Sequence, residues 1–207
     1  MYSCANCKVH GCREQNYEKM PKNCPSRDRE FQEENKLLYL DEENYKLAHN
    51  SALVESEGYC RLTRVEEIME FAKKNNFTKI GLAFCVGLRN EAEIFTKILE
   101  NRDFEVCSII CKNGSVSKEF IGISDCEKVR PGTNEVICNP IGQARLLNKM
   151  GTQLNVMLGL CVGHDSLFMK YSEAPATVLA VKDRVTGHNP LAPLYISDTY
   201  YHKKLFK

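Results

Sequence analysis

Two stretches of the chain, KIGLAFCVG at 79–87 and NVMLGLCVG at 155–163, nearly repeat each other. Four of the nine aligned positions are identical: Leu82/Leu158, Cys85/Cys161, Val86/Val162 and Gly87/Gly163. Each is a short apolar run that ends in Cys-Val-Gly and leads into a segment with helical patterning. An apolar run of this length, apolar on both faces and followed by glycine and a helix, is the signature of a buried parallel strand feeding a crossover helix. Each copy therefore sets a cysteine at the carboxyl end of a strand. In an open α/β sheet that edge is where ligands bind.

The same rhythm continues around the repeat. It predicts strands at 79–85, 104–110, 154–160 and 176–182, with helices near 89–101, 140–150 and 164–171. Asn139-Pro140 reads as a helix start, Asn capping and Pro in the first turn, and Gly151 closes that helix. Such alternation implies an α/β fold, a mainly parallel, Rossmann-like sheet with helices on both faces. The stretch 112–138 is too long for a simple connection and reads as a hairpin or small excursion. The tail, with Asn189-Pro190 and Ala192-Pro193, is expected to run over the surface. Upstream, a helix is expected from about Asp41 to Glu57, ended by Gly58. Thr63 with Glu66 then opens another as a capping box. Composition divides the chain into a cysteine-rich segment at 1–30, a helical connector at 31–76 and the α/β domain at 77–207.

Among 207 residues there are 28 Lys plus Arg, 27 Asp plus Glu, and 43% hydrophobic residues. A net charge of +1 offers no electrostatic footprint for nucleic acid or an anionic membrane. No apolar run reaches the roughly 18 residues of a membrane span, and MYSCANCKVHGC lacks the apolar core of a signal peptide. A cytosolic protein is expected. Its 11 cysteines then need an explanation, because a reducing compartment argues against structural disulfides and the odd count fits them poorly. Metal ligation and redox chemistry remain.

Residues 1–30 are too polar to build a core unaided and are expected to fold around a metal. Cys4, Cys7, Cys12 and Cys24 form C-x2-C-x4-C-x11-C, four thiols close enough in sequence to surround one ion. Zinc takes such a tetrahedron; a [4Fe–4S] cluster also takes four cysteines, and Cys24-Pro25 resembles the ending of ferredoxin motifs. Both stay open, as does His10 in place of Cys12.

Cys85, Cys111 and Cys161 each end a predicted strand, and Cys138 stands just before a helix start. In a parallel sheet all four share one edge, so a second iron–sulfur cluster or a thiol centre is the corresponding expectation. One strand-end cysteine by itself reads as a small buried hydrophobe; the repeat and the shared edge favour a site. Cys107 is assigned to the core, because an extended strand sets it about 13 Å from Cys111. Cys60 and Cys126 are assigned there too. Near the same edge, His164 and Asp165 suit proton transfer, and Lys182, Asp183 and Arg184 suit binding a small anionic substrate. Arg89 lacks the spacing of a phosphatase loop, and Gly87 and Gly163 make no nucleotide motif.

Taken together, CANC, AFCVGL, CNPIGQA, GLCVGHDSLF and VKDRVTGHNP resemble an uncharacterised prokaryotic family, frequent in anaerobes, of cysteine-rich proteins of unknown function described as metal-binding. The resemblance runs over nearly the whole chain and implies metal binding through cysteine, without a reaction or substrate. Three functions follow: an iron–sulfur or redox enzyme acting on a small anionic metabolite, a zinc protein with a thiol oxidoreductase centre, and a non-catalytic zinc protein or metal/redox sensor.

Overall fold

In a computed structural model that describes residues 1–206, the chain divides into two compact units, Met1–Tyr59 and Cys60–Lys207. This boundary cuts through the stretch that composition marks as a connector, 31–76.

The first unit begins with short 3-10 turns at Cys4–Asn6 and Pro25–Arg27, neither of which buries a residue. Two helices follow, α1 (Arg29–Leu38) and α2 (Glu42–Gly58). Helix α2 matches the sequence expectation, with the Asp41 carboxylate accepting from Asn44 N at 3.0 Å. Helix α1 was not expected. Its signal is the N-cap Asp28, which accepts from Phe31 N at 3.2 Å, followed by Glu30 early and Lys36 late in the helix. Its apolar residues are few, Phe31 and Leu38 fall on one face, and none is buried.

In the second unit, α3 (Arg64–Lys74) opens with the capping box of Thr63 and Glu66. Then come β1 (Lys79–Phe84), α4 (Arg89–Glu100), β2 (Glu105–Ile110), α5 (Pro140–Lys149), β3 (Leu154–Leu160), α6 (His164–Tyr171) and β4 (Ala176–Val181). All strand pairs are parallel and the order is β2-β1-β3-β4. Ile80, Leu82, Val156 and Leu158 join α3 and α4 in one buried cluster. Ala83 and Met157 join Ala144 and Leu147 of α5 and Phe168 of α6 in another. Helices thus cover both faces. The winding reverses between β1 and β3, which makes that junction the topological switch point of the sheet.

The sequence repeat is not in spatial register. Leu82 lies opposite Val156, and Phe84 opposite Leu158, so the second copy sits two residues further along. The pairing of β3 with β4 is also irregular around Gly159, which has φ +70°. Leu158 faces the first cluster and Leu160 the second, so the alternation skips at this glycine. A Cβ here would come within 2.2 Å of Leu88 Cδ1, so both the conformation and the space require glycine.

The excursion at 112–138 holds short 3-10 turns and one antiparallel bridge, Ser117 with Val136. Ile137 N donates to Val116 O at 2.8 Å, and Asn139 N to Cys111 O at 2.7 Å, which closes its base. An ion pair between Lys118 and Glu135 braces it. The tail forms two one-turn helices, Ala192–Tyr195 and His202–Leu205. Cys107 packs against the second cluster, as expected. Cys60 and Cys126 correct the core assignment, since both are exposed. Cys60 sits at φ +55° just after α2, and Cys126 lies in a turn of the excursion, where no apolar layer reaches it. No helix among the described residues is long and apolar enough to cross a membrane.

Candidate functional site

The sheet-edge site is built from backbone outward. Beyond the last residue of each strand the ladder continues. Cys85 N donates to Leu158 O at 3.0 Å, Cys111 N to Phe84 O at 2.8 Å, and Lys182 N to Leu160 O at 2.9 Å. The excursion returns to the same edge, placing Cys138 immediately ahead of α5. Cys85, Cys111, Cys138, Gln143, Leu160, Cys161 and His164 line one small cavity there, with about 190 Å³ of empty space counting its mouth and no room for a water-sized molecule. Cys85 and Cys161 flank the switch point. They share an edge, though not a level, because of the two-residue offset.

Cys111 hydrogen-bonds to both Cys85 and Cys138, and Val86 N donates to its sulfur at 3.3 Å. These bonds hold the Cys85 and Cys138 thiols well below the ordinary cysteine range and push Cys111 above it. Cys111 is thus the thiol that keeps its proton, and its single S–H can be given to only one of the two neighbours at a time. The backbone N–H of Gly87 and the charge of Lys182 further favour the Cys85 thiolate. His164, in the first turn of α6, hydrogen-bonds to Cys138, which raises the imidazole pKa. Arg184 Nη2 donates to Cys161 Sγ at 3.4 Å.

The predicted acid–base and anion-binding residues separate into two groups. His164, Lys182 and Arg184 come to the thiols. The Lys182 ammonium stands over two glycines, 3.5 Å from a Cβ placed on Gly87 and 3.6 Å from one on Gly159. No carboxylate among the described residues forms an ion pair with Lys182 or Arg184, and Arg184 donates to a cysteine sulfur instead. Asp165 and Asp183 do not line the cavity. Asp165 accepts from Ser166 N at 2.8 Å. Asp183 holds its own turn, accepting from Val185 N at 2.8 Å and Thr186 N at 3.0 Å, while its N–H donates to His188 Nδ1.

Sequence reasoning missed Gln143. It is fully buried, and its Nε2 donates to Phe84 O at 3.2 Å and Ile109 O at 2.7 Å, tying the ends of β1 and β2 together. Its Oε1 is buried and has no partner. The available signal was a long polar residue one turn into a helix that starts at the ligand edge.

The N-terminal cysteines also meet. Cys4, Cys7, Cys12 and Cys24, with His10, line a cavity of about 410 Å³. Backbone N–H groups of His10 and Val9 point at the Cys7 sulfur and lower its pKa. Asn23 Nδ2 donates to Ser3 Oγ at 3.0 Å, joining the two ends of the segment. The Arg27 guanidinium donates to the carbonyls of Tyr17, Met20 and Pro21 and stacks 4.6 Å over the Tyr17 ring. Arg27 is a brace that spacing arguments do not reveal.

No group of three or more His, Cys, Asp or Glu side chains among the described residues is already disposed to hold an ion. In both cavities the donor chemistry suits a soft or borderline metal, and closing on an ion requires the sulfurs to turn toward a common point.

Residues 24–179 match a family described as "Protein of unknown function (DUF1847)". That span includes all four sheet-edge cysteines and, of the N-terminal quartet, Cys24. The "Uncharacterized protein MJ0455" of Methanocaldococcus jannaschii is 49% identical over 169 residues, which cover 82% of this chain and 84% of that protein. No solved structure gives a significant match.

Proposed function

We infer that this chain, which belongs to the DUF1847 family of proteins of unknown function, is a metal-binding protein with two separate cysteine centres. The observation that carries the reading is the convergence of Cys85, Cys111, Cys138, Cys161 and His164, from three strand ends, an excursion and a helix start, on one cavity at the switch point of a parallel sheet. A cysteine used only as a small hydrophobe has no need of a thiolate-stabilising hydrogen bond or a cation, and this cluster has both. The metal would supply Lewis acidity or electrons. The chain's own residues would do the rest: Cys85, Cys111 and Cys138 bind, His164 holds a proton at the Cys138 side, and Lys182 and Arg184 attract a small anionic substrate to the rim. The N-terminal quartet would hold zinc or a [4Fe–4S] cluster, in a segment with little apolar core of its own.

The test is metal and acid-labile sulfide content, with the visible spectrum, of anaerobically purified protein and of the Cys85→Ala and Cys138→Ala variants. Each variant is expected to lose the share of metal belonging to the sheet edge while the N-terminal share stays. If both variants keep the full metal content, the sheet-edge centre does not exist.

A second reading, a thiol oxidoreductase, is favoured by the Cys138–His164 pair and by the Cys111 thiol between two thiolates. Cys138 and Cys111 would close a disulfide, two electrons and two protons passing to a small-molecule disulfide that is reduced to two thiols. Protein that binds no metal at the sheet edge, yet forms a Cys111–Cys138 disulfide reversibly, would select this reading.

A further inference from the structure

We propose that the sheet-edge centre holds one divalent ion of the zinc or iron(II) class through the sulfurs of Cys85, Cys111 and Cys138 and the amide oxygen of Gln143. This rests on the reading of the cavity as a metal centre and specifies what it takes. The argument starts at the orphaned oxygen. Both groups that meet the Gln143 side chain, Phe84 O and Ile109 O, are carbonyl oxygens that can only accept, so the amide nitrogen must face them. Flipping the amide would set oxygen against two oxygens. Oε1 is therefore the end left for the cavity, fully buried and without a partner. A buried acceptor without a donor is destabilising, and here the space holds no water-sized molecule to relieve it. A bare cation does relieve it.

The space decides the nuclearity. Cys85, Cys111 and Cys138 line one cavity with no room for a water-sized molecule. A single ion fits among three sulfurs that draw together, whereas a cubane needs room for its whole iron–sulfide core between them. Cys161 is drawn aside, its sulfur facing Arg184 at 3.4 Å. Three thiolates and a neutral oxygen then complete a tetrahedron, and oxygen with sulfur suits a borderline divalent ion better than copper(I). An amide oxygen is the weakest donor of the four. It marks the position at which an exogenous ligand can enter, as the open position does in catalytic zinc sites.

The probe is cadmium, loaded into the reduced, chelator-treated full-length protein and observed by cadmium NMR. Two resonances are expected. One lies in the four-sulfur range and disappears in Cys4→Ser with Cys7→Ser. The other is displaced toward three sulfurs with one oxygen, persists in that double variant, and moves or vanishes in Gln143→Leu. The position of the second resonance in the wild-type protein carries the test even if Gln143→Leu does not fold. A second resonance in the four-sulfur range, or one unmoved by Gln143→Leu, overturns the proposal and leaves the metal centre standing with Cys161 as fourth ligand. A wild-type protein with no resonance beyond the one removed by Cys4→Ser and Cys7→Ser overturns the metal reading of the sheet edge, and the proposal with it.

Discussion

The two cysteine clusters of this chain are assembled in opposite ways. The N-terminal quartet comes from one short segment whose turns bury almost nothing, with Cys4 and Cys12 exposed. The sheet-edge set is gathered from across nearly eighty residues, yet Cys85 and Cys111 are buried, at 6% and 2% exposure. In the first cluster the chain is ordered by polar braces such as Arg27. In the second, the positions are dictated by a parallel sheet packed between two apolar clusters. Sequence proximity therefore says little about how preformed a site is; what matters is which forces fix the backbone that carries it.

The largest test of this contrast is metal removal. Chelation should strip amide protection from residues 1–28 almost completely while β1 and β3 keep theirs, as read by hydrogen exchange. Equal loss in both regions would show that the sheet also depends on its ion. Cys12→Ser should act in the same direction, on the first unit alone.

A smaller but still large effect is expected from Gly159→Ala. The added methyl meets Leu88 and the backbone stands at φ +70°, so the cost should be about 2–4 kcal/mol in chemical denaturation. It should fall on the sheet and leave the N-terminal cluster's metal in place. A change under about 0.5 kcal/mol would mean that the irregularity at β3 is soft.

Arg184→Ala should free Cys161 without unfolding anything, since Arg184 is exposed and its guanidinium donates to the sulfur. Alkylation of Cys161 by a neutral reagent should change severalfold, with that of Cys85 nearly unchanged. An unaltered Cys161 rate would remove Arg184 from the site.

The smallest effect is one of pH. Lys118 holds the Glu135 carboxyl below its ordinary range, helped by N–H donors from Arg130 and Val129. A carboxylate pKa lowered by folding stabilises the fold above the unfolded value, and that contribution is lost as pH falls through the folded value. The base of the excursion, and with it the placement of Cys138, should therefore loosen below the usual glutamate range. Faster exchange of the Val116 to Lys118 and Glu135 to Cys138 amides on acidification, relative to β1, would show it. Glu135→Gln should remove most of the pH dependence.

Much of this was legible in the chain. Periodicity and punctuation located all four strands and α2 to α6 to within a residue or two, because buried parallel strands leave unbroken apolar runs and capping residues mark helix starts. Strand-end placement also sufficed to bring Cys85, Cys111 and Cys161 to one edge, since parallel strands end on the same side, and the helix start after Cys138 brought it there too. Helix α1 was missed because only Phe31, Leu37 and Leu38 of its ten residues are apolar, too few to stand out in a charged stretch. Cys60 and Cys126 were misplaced because a cysteine in sequence carries no mark of burial.

What the residues alone determined is the alternation, the shared edge and the spacing of the N-terminal thiols, all consequences of local chemistry read in order. What only the tertiary structure decided is register and partnership. The repeat turned out to be offset by two residues, Gly159 to be a bulge, Asp183 to be engaged in its own turn, and Gln143 to be a brace with an unused oxygen. Those outcomes depend on which backbone groups across the sheet are left needing a partner. That depends on how distant segments pack, which no local pattern encodes.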